Sequence, residues 1–316
     1  MMSRRVMIGI AAAGLAAATG VFALREGRRR RDLGAARTLL ELPVAAPEGP
    51  LKVFHLGHSL VGRDMPAMLA QLAPQGHDHA SQLGWGTPLR AHWEPDVAIN
   101  GFDTENDHPK FSEARAALEG GAFDALVLTE MVELKDAIRY HGSAAYLADW
   151  VALAHAARPD MRIYLYETWH NTDDPAGWLA RIDTDYDALW LDRLLLPAVA
   201  QTGVPVHVIP AGQVLAAFVR AVEAQGGVGN IAGRDALMAR TPEGAVDTIH
   251  LSDLGAYLVA LTHFATLYKR TPVGLPLALM RADGTAADAP DTAAGLLMQQ
   301  TVRDVVRRAR YSGVGA

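Results

Sequence analysis

The chain has 316 residues with 29 basic and 35 acidic side chains, 12 histidines and no cysteine. At roughly 100–200 residues per domain this allows one large domain or two small ones, and a composition half apolar and one-fifth charged excludes a disordered chain. Without cysteine there are no disulfides, thiolate metal sites or cysteine nucleophile, and a net charge of −6 argues against nucleic acid, which needs a basic face.

The charge is uneven along the chain. Residues 1–32 hold seven arginines against Glu26 and Asp32, a net +5, and the remainder carries 22 basic and 33 acidic groups, a net −11. Such asymmetry marks an N-terminal segment with a separate task. Arg4 and Arg5 precede the uncharged run Val6–Leu24, and Arg25 and Arg28–Arg31 follow it. As a helix that run would span about 28 Å, close to the thickness of a bilayer core. Ser3–Ile8 resembles a twin-arginine export signal with Gly9 in place of the usual lysine, and Val21-Phe22-Ala23 offers a small-residue cleavage site. The arginine block after the run favours a cytoplasmic C-terminal side. Residues 1–32 are therefore expected to be a signal or membrane anchor that meets the membrane or the export machinery. The expected location is the periplasm or the inner membrane, with a tether facing the cytoplasm as the alternative.

Residues 33–50, closing with Pro43, Pro47 and Gly49-Pro50, read as a linker. After it, apolar runs alternate with helical patterns. Val53–Gly57, Phe123–Thr129, Met161–Thr168 and Val204–Pro210 read as buried strands, with Ala80–Leu83 a weaker one. Between them Asp64–Leu72, Ser143–Ala157 and Asp187–Thr202 are amphipathic, with Asp64 able to cap the first helix and Pro66 tolerated in its opening turn. His77-Asp78-His79 lacks further spaced ligands and reads as surface loop rather than a metal site. Ala91–Lys110 is irregular and reads as a long loop on the active face, and Thr292–Ala309 is apolar at helical spacing. This alternation predicts an α/β fold with about five parallel strands covered on both faces. A domain over 51–275 and a C-terminal extension over 276–316, with its helix packed on the domain, follow.

In an open α/β sheet, ligands bind beyond the carboxyl ends of the strands. Ser59 is one of seven serines, and it directly follows the first strand in Gly57-His58-Ser59-Leu60. A serine hydroxyl is a weak nucleophile until a base removes its proton. Asp247-Thr248-Ile249-His250 stands before the helix Asp253–Tyr268. Three residues apart on a turn, the carboxylate can accept from His250 Nδ1 and leave Nε2 free for the serine proton. The other strand-end clusters hold Gly84, Trp85 and Gly86, then Thr129 and Glu130, then Trp169, His170 and Asn171.

With these residues in place, the chain resembles the SGNH hydrolases, also called the GDSL esterase and lipase superfamily. Gly57-His58-Ser59-Leu60 is similar to the family's Gly-Asp-Ser-Leu block, and Asp247-Thr248-Ile249-His250-Leu251-Ser252 to its Asp-x-x-His-Leu-Ser block. The resemblance covers roughly Val53–Lys269. It implies a flavodoxin-like three-layer sandwich, a shallow site for acyl esters, and catalysis by Ser59, His250 and Asp247 without cofactor or metal. The family's oxyanion hole uses the nucleophile's own N–H, a glycine N–H and an asparagine side chain. Ser59 N–H supplies the first, and Gly86, with Gly84 the alternative, stands for the second. No asparagine follows the third strand, so the resemblance leaves Asn171 or the Thr129 hydroxyl as the third donor. Trp85, Glu130, Trp169 and His170 are expected to face a small-molecule or glycan ester. The implied activity is removal of small acyl groups such as acetate. Acyl transfer by the same triad, or a non-catalytic glycan- or lipid-binding module on the same fold, stands as the alternative.

Overall fold

The computed structural model describes residues 27–315. The export motif, the apolar run and the cleavage site lie outside the described residues. In chain order the elements are α1 (residues 27–40), β1 (Lys52–Leu56), α2 (Asp64–Leu72), β2 (Asp78–Gln82), α3 (Leu89–Trp93), α4 (Phe102–Asn106), α5 (Ala114–Glu119), β3 (Ala125–Leu128), α6 (Leu134–Tyr140) and α7 (Ser143–Ala157). There follow β4 (Arg162–Glu167), α8 (Trp178–Asp185), a π-helical stretch Tyr186–Leu195 running into α9 (Leu196–Thr202), β5 (His207–Pro210), α10 (Ala211–Ala224), β6 (Met238–Arg240), β7 (Val246–Leu251), α11 (Asp253–Tyr268) and α12 (Thr292–Arg308).

β1–β5 form one parallel sheet in the order β2-β1-β3-β4-β5, the flavodoxin-like order. Side chains alternate across it. Val53 and Val127 join the core under α2, α10, α11 and α12, while Phe54 and Leu126 join the core under α1, α7 and α9. Those two apolar layers on either face of the sheet make the three-layer sandwich. Chirality and covered faces confine chemistry to the strand ends.

Several local expectations are corrected. Residues 33–40 belong to α1 instead of a linker, because Leu33, Ala36 and Leu40 recur on one helical face and Ala36 and Leu40 are buried. β2 begins at Asp78, paired with Lys52, so His77-Asp78-His79 leads into the sheet and is no surface loop. Pairing with β1 draws in the polar strand Asp78-His79-Ala80-Ser81-Gln82 that has no apolar run of its own. Asp64 does not cap α2; it is the first helical residue, and its Oδ1 accepts from Ala282 N–H at 2.8 Å. Ala91–Lys110 carries the short helix α4. α12 buries Met298, Val302 and Val306 in the shared core, and Val208 N–H donates to Tyr311 O at 2.8 Å, which ties the C-terminal region to β5. No helix among the described residues is long and apolar enough to cross a membrane.

Candidate active site

The chain must turn sharply at the end of β1. A Cβ on Gly57 would fall 2.4 Å from the Thr129 methyl carbon, so glycine alone fits there. His58 then points inward. Its Nε2–H donates to Glu130 O at 2.9 Å, and its Nδ1 accepts from Leu60 N–H at 3.3 Å. Burial pushes its pKa down to about 4, so the ring is neutral and can hold both roles at once. The Gly57 carbonyl is fixed by His92, whose Nε2–H donates to it at 2.8 Å. His92 Nδ1 accepts from Gln82 Nε2 at 2.9 Å, and Gln82 Oε1 accepts from Ala114 N–H at 2.8 Å. Both imidazoles are buried, and burial also lowers His92 to about 4. This scaffold presents Ser59, half-buried, in front of α2.

The partner groups arrive on the antiparallel hairpin β6–β7. Met238 pairs with Leu251 and Arg240 with Val246, so two steps on β6 face five on β7, and the excess residues of β7 bulge. Asp247 and His250 sit in that bulge. Asp247 Oδ1 accepts from Ile249 N–H at 2.7 Å and His250 N–H at 2.8 Å, which turns the backbone back toward the carboxylate. The other oxygen, Oδ2, lies 3.0 Å from His250 Nδ1. Burial pushes the Asp247 carboxyl up, but these N–H groups and the imidazole hold it below the ordinary aspartate range. His250 Nε2 lies 3.1 Å from Ser59 Oγ, completing an unbroken line from carboxylate to hydroxyl. Below the bulge, the buried Trp169 donates Nε1–H to Ile249 O at 2.8 Å, and Thr172 N–H donates to Thr248 O at 2.8 Å.

Beside Ser59 and His250 opens a cavity of about 110 Å³ whose apolar wall includes Met65, Trp169, Ala256 and Val259. Its rim is tied down by the C-terminal region. Arg281 pairs with Asp253, and Asp288 N–H donates to Asp253 Oδ2 at 2.7 Å.

The structure brings together Ser59, Asp247, His250 and Trp169, but treats the other expected residues differently. Glu130 is fully buried. Its Oε1 accepts from Met131 N–H at 2.8 Å and Leu89 N–H at 3.2 Å, and burial pushes its pKa up to about 7. Because β3 is the central strand, a polar residue at its end is drawn under the start of α3 instead of facing a substrate. His170 is likewise buried, 3.2 Å from Asp185, in a network where Arg181 pairs with Glu133, Asp174 and Asp185. Thr129 is buried and its hydroxyl donates to Tyr166 O at 2.8 Å. Asn171 is exposed, with Oδ1 accepting from the Thr248 hydroxyl at 3.2 Å on the flank of the bulge. Neither residue lines the cavity at Ser59. Gly84 is buried, whereas Gly86 is exposed with a left-handed φ of 55°. Trp85 is half exposed and lies flat on Gly101, where a Cβ would clash with its ring, and its Nε1–H donates to Glu105 at 2.7 Å. Among the described residues no cluster of three or more ligating side chains could hold a metal ion.

No family model and no curated protein matches the chain. Among solved structures it is similar to a protein described as a GDSL-like lipase from Parabacteroides merdae, at 15% identity and a TM-score of 0.41, covering 73% of this chain and 98% of that one. It is also similar to one described as a platelet activating factor from Streptococcus pneumonia, at 15% identity and a TM-score of 0.36, covering 79% and 99%. These overlaps are loose. The fold stands on the strand order and the site on its distances.

Three residues absent from the motifs shape the site. His92 and Gln82 lock the Gly57 carbonyl, as above. Asn106 clamps Leu83 from both sides, accepting from its N–H at 3.0 Å and donating to its carbonyl at 2.8 Å. Thus the Ala91–Lys110 region steadies the turn carrying Gly84 and Gly86. The one signal for these residues is a polar side chain inside an otherwise apolar or tightly turning stretch.

Proposed function

We propose that the chain is a serine-dependent ester hydrolase of the SGNH kind that removes small acyl groups through an acyl-serine intermediate. The observation that carries this reading is the unbroken line Ser59–His250–Asp247. Ser59 Oγ attacks the ester carbonyl while His250 Nε2 takes its proton. Asp247 fixes the tautomer and stabilises the imidazolium, and His250 then returns the proton to the leaving alcohol. Water, activated by the same histidine, releases the acid. The Ser59 N–H and a glycine N–H from the Gly84–Gly86 turn are the proposed oxyanion donors. The small cavity beside Ser59, with Met65, Trp169, Ala256 and Val259 as its apolar wall, suits a short acyl chain such as acetyl, and the exposed face of Trp85 offers a sugar ring a stacking surface. The same acyl-serine handed to another hydroxyl would make the protein an acyltransferase. The N-terminal sequence supports action at the cell envelope.

A fluorophosphonate probe tests the core of this reading. Labelling at Ser59 that disappears in His250→Ala is expected; a folded protein that takes up no probe would instead be a binding module on the same fold.

A further inference from the structure

α11 starts beside His250 and runs 16 residues, about 24 Å, to the opposite edge of the sheet. Its last residue, Tyr268, accepts from Leu51 N–H at 3.1 Å, just ahead of β1. At that edge lies a second cavity, of about 230 Å³, lined by Lys269, Arg270, Arg303 and Arg307 over an apolar floor that includes Val306 and Val314. No Asp or Glu lines it among the described residues, although the chain as a whole is acidic. Arg303 does pair with Asp304 at 2.7 Å, but both side chains are more than a third exposed, and such a pair binds weakly.

Lys269 makes the arrangement unusual. It closes α11 in the left-handed region, φ 55°, where glycine or asparagine is the ordinary choice. Its ammonium turns inward, donating to Ser312 O at 3.1 Å and lying 5.2 Å over the Tyr164 ring. Burial, and then Arg162, push its pKa down to about 7. The neighbouring His207 is held near 4 by burial and by Lys269, and its Nδ1 is buried without a partner. Basic groups gathered in one corner repel one another, and the arrangement costs free energy unless an anion joins them.

We propose that this corner cavity binds a phosphate group, carried either by the headgroup of an anionic phospholipid or by free phosphate. Guanidinium forks match phosphate oxygens two at a time, and the apolar floor excludes water from the contact. A headgroup is one of the two sources because the sequence carries a membrane-like apolar run ahead of α1. α1 follows the apolar run Val6–Leu24 in sequence, and its far end, with Leu40–Pro43, shares a neighbouring cavity with Val314 and Gly315, which also line the basic one.

The test uses the full chain in uncharged detergent. Sodium phosphate should raise Tm by several degrees over sodium chloride at equal ionic strength, because a ligand that binds the folded state stabilises it by mass action. Arg303→Gln with Arg307→Gln should abolish that rise and leave fluorophosphonate labelling unchanged, while the Tm in chloride holds or rises because the repulsion between the basic groups is relieved. In nanodiscs, replacing part of the phosphatidylcholine by phosphatidylglycerol should slow hydrogen exchange over residues 265–271 and 303–307 if the source is a headgroup. A phosphate response without that slowing assigns the site to free phosphate. A Tm that responds alike to phosphate and chloride, together with exchange indifferent to phosphatidylglycerol, overturns the proposal. So does a double variant that keeps the wild-type response.

Discussion

The turn that carries Ser59 is anchored in the interior on every side, whereas the hairpin that carries Asp247 and His250 is held at a few points. Gly57 packs on Thr129 and is hydrogen-bonded by His92, and the buried His58 ties the turn to Glu130 and Leu60. The β6–β7 hairpin is two-stranded and outside the main sheet, and it leans on Trp169, Thr172 and the Ser252 hydroxyl bonded to Ala236 O at 2.7 Å. Ser59 is thus placed by the core, and His250 by a small element with fewer ties to it. Changes in the first region should register mainly as stability and in the second mainly as turnover.

The largest effects come from the relay itself. Ser59→Ala should lower kcat by about 10⁶ and Asp247→Asn by about 10⁴, with little change in Tm, as measured by ester turnover and calorimetry. A folded Ser59→Ala variant with near wild-type kcat would remove the comparison's premise.

Acid should break the two regions apart. His58 and His92 under the nucleophile turn, and His77, His79, His207 and His263 elsewhere, are all pushed by burial to about 4. In the unfolded chain they return to about 6.5, so between those values the unfolded state binds more protons than the folded one. Their contribution to stability is complete above pH 6.5 and is lost as pH falls toward 4, because protonation then favours the unfolded chain. Urea midpoints measured across that window should fall steeply, and a level profile would contradict the burial of these rings.

A pair of substitutions sharpens the contrast further. His92→Ala leaves the Gly57 carbonyl and the Gln82 amide without a partner in a buried space and should cost about 2–3 kcal/mol of stability. Trp169→Phe keeps an aromatic side chain but removes the bond to Ile249 O and part of the indole's bulk, and should lower kcat about tenfold for a loss of about 1–2 kcal/mol. If Trp169→Phe destabilises as much as His92→Ala while kcat holds, the hairpin is as rigid as the core.

Much of this architecture could be read from the chain where a signal was local. The apolar runs ending at Gly57, Thr129, Thr168 and Pro210 locate four strands, because a strand covered on both faces must be apolar on both. Ser59, Asp247 and His250 stand out because the proposed serine chemistry needs a hydroxyl just after a strand and a histidine with a carboxylate close to it in sequence. α1 was hidden by its arginines, and β2 by a sequence whose strand character comes from its partner β1. The hairpin was hidden too, since its triad residues occupy a bulge with no alternating pattern.

By itself, then, the sequence determined the strand-and-helix rhythm, the two short motifs that hold Ser59 and Asp247–His250, and the basic N-terminal segment, all of which depend on side chains close together in sequence. Only the tertiary structure decided that Glu130, Thr129 and His170 are interior, that Asn171 belongs to the flank of the bulge, and that His92 and Asn106 hold the site's backbone. The reason is physical: a polar group's burial depends on which distant donors and acceptors meet it, and those partners are chosen by packing.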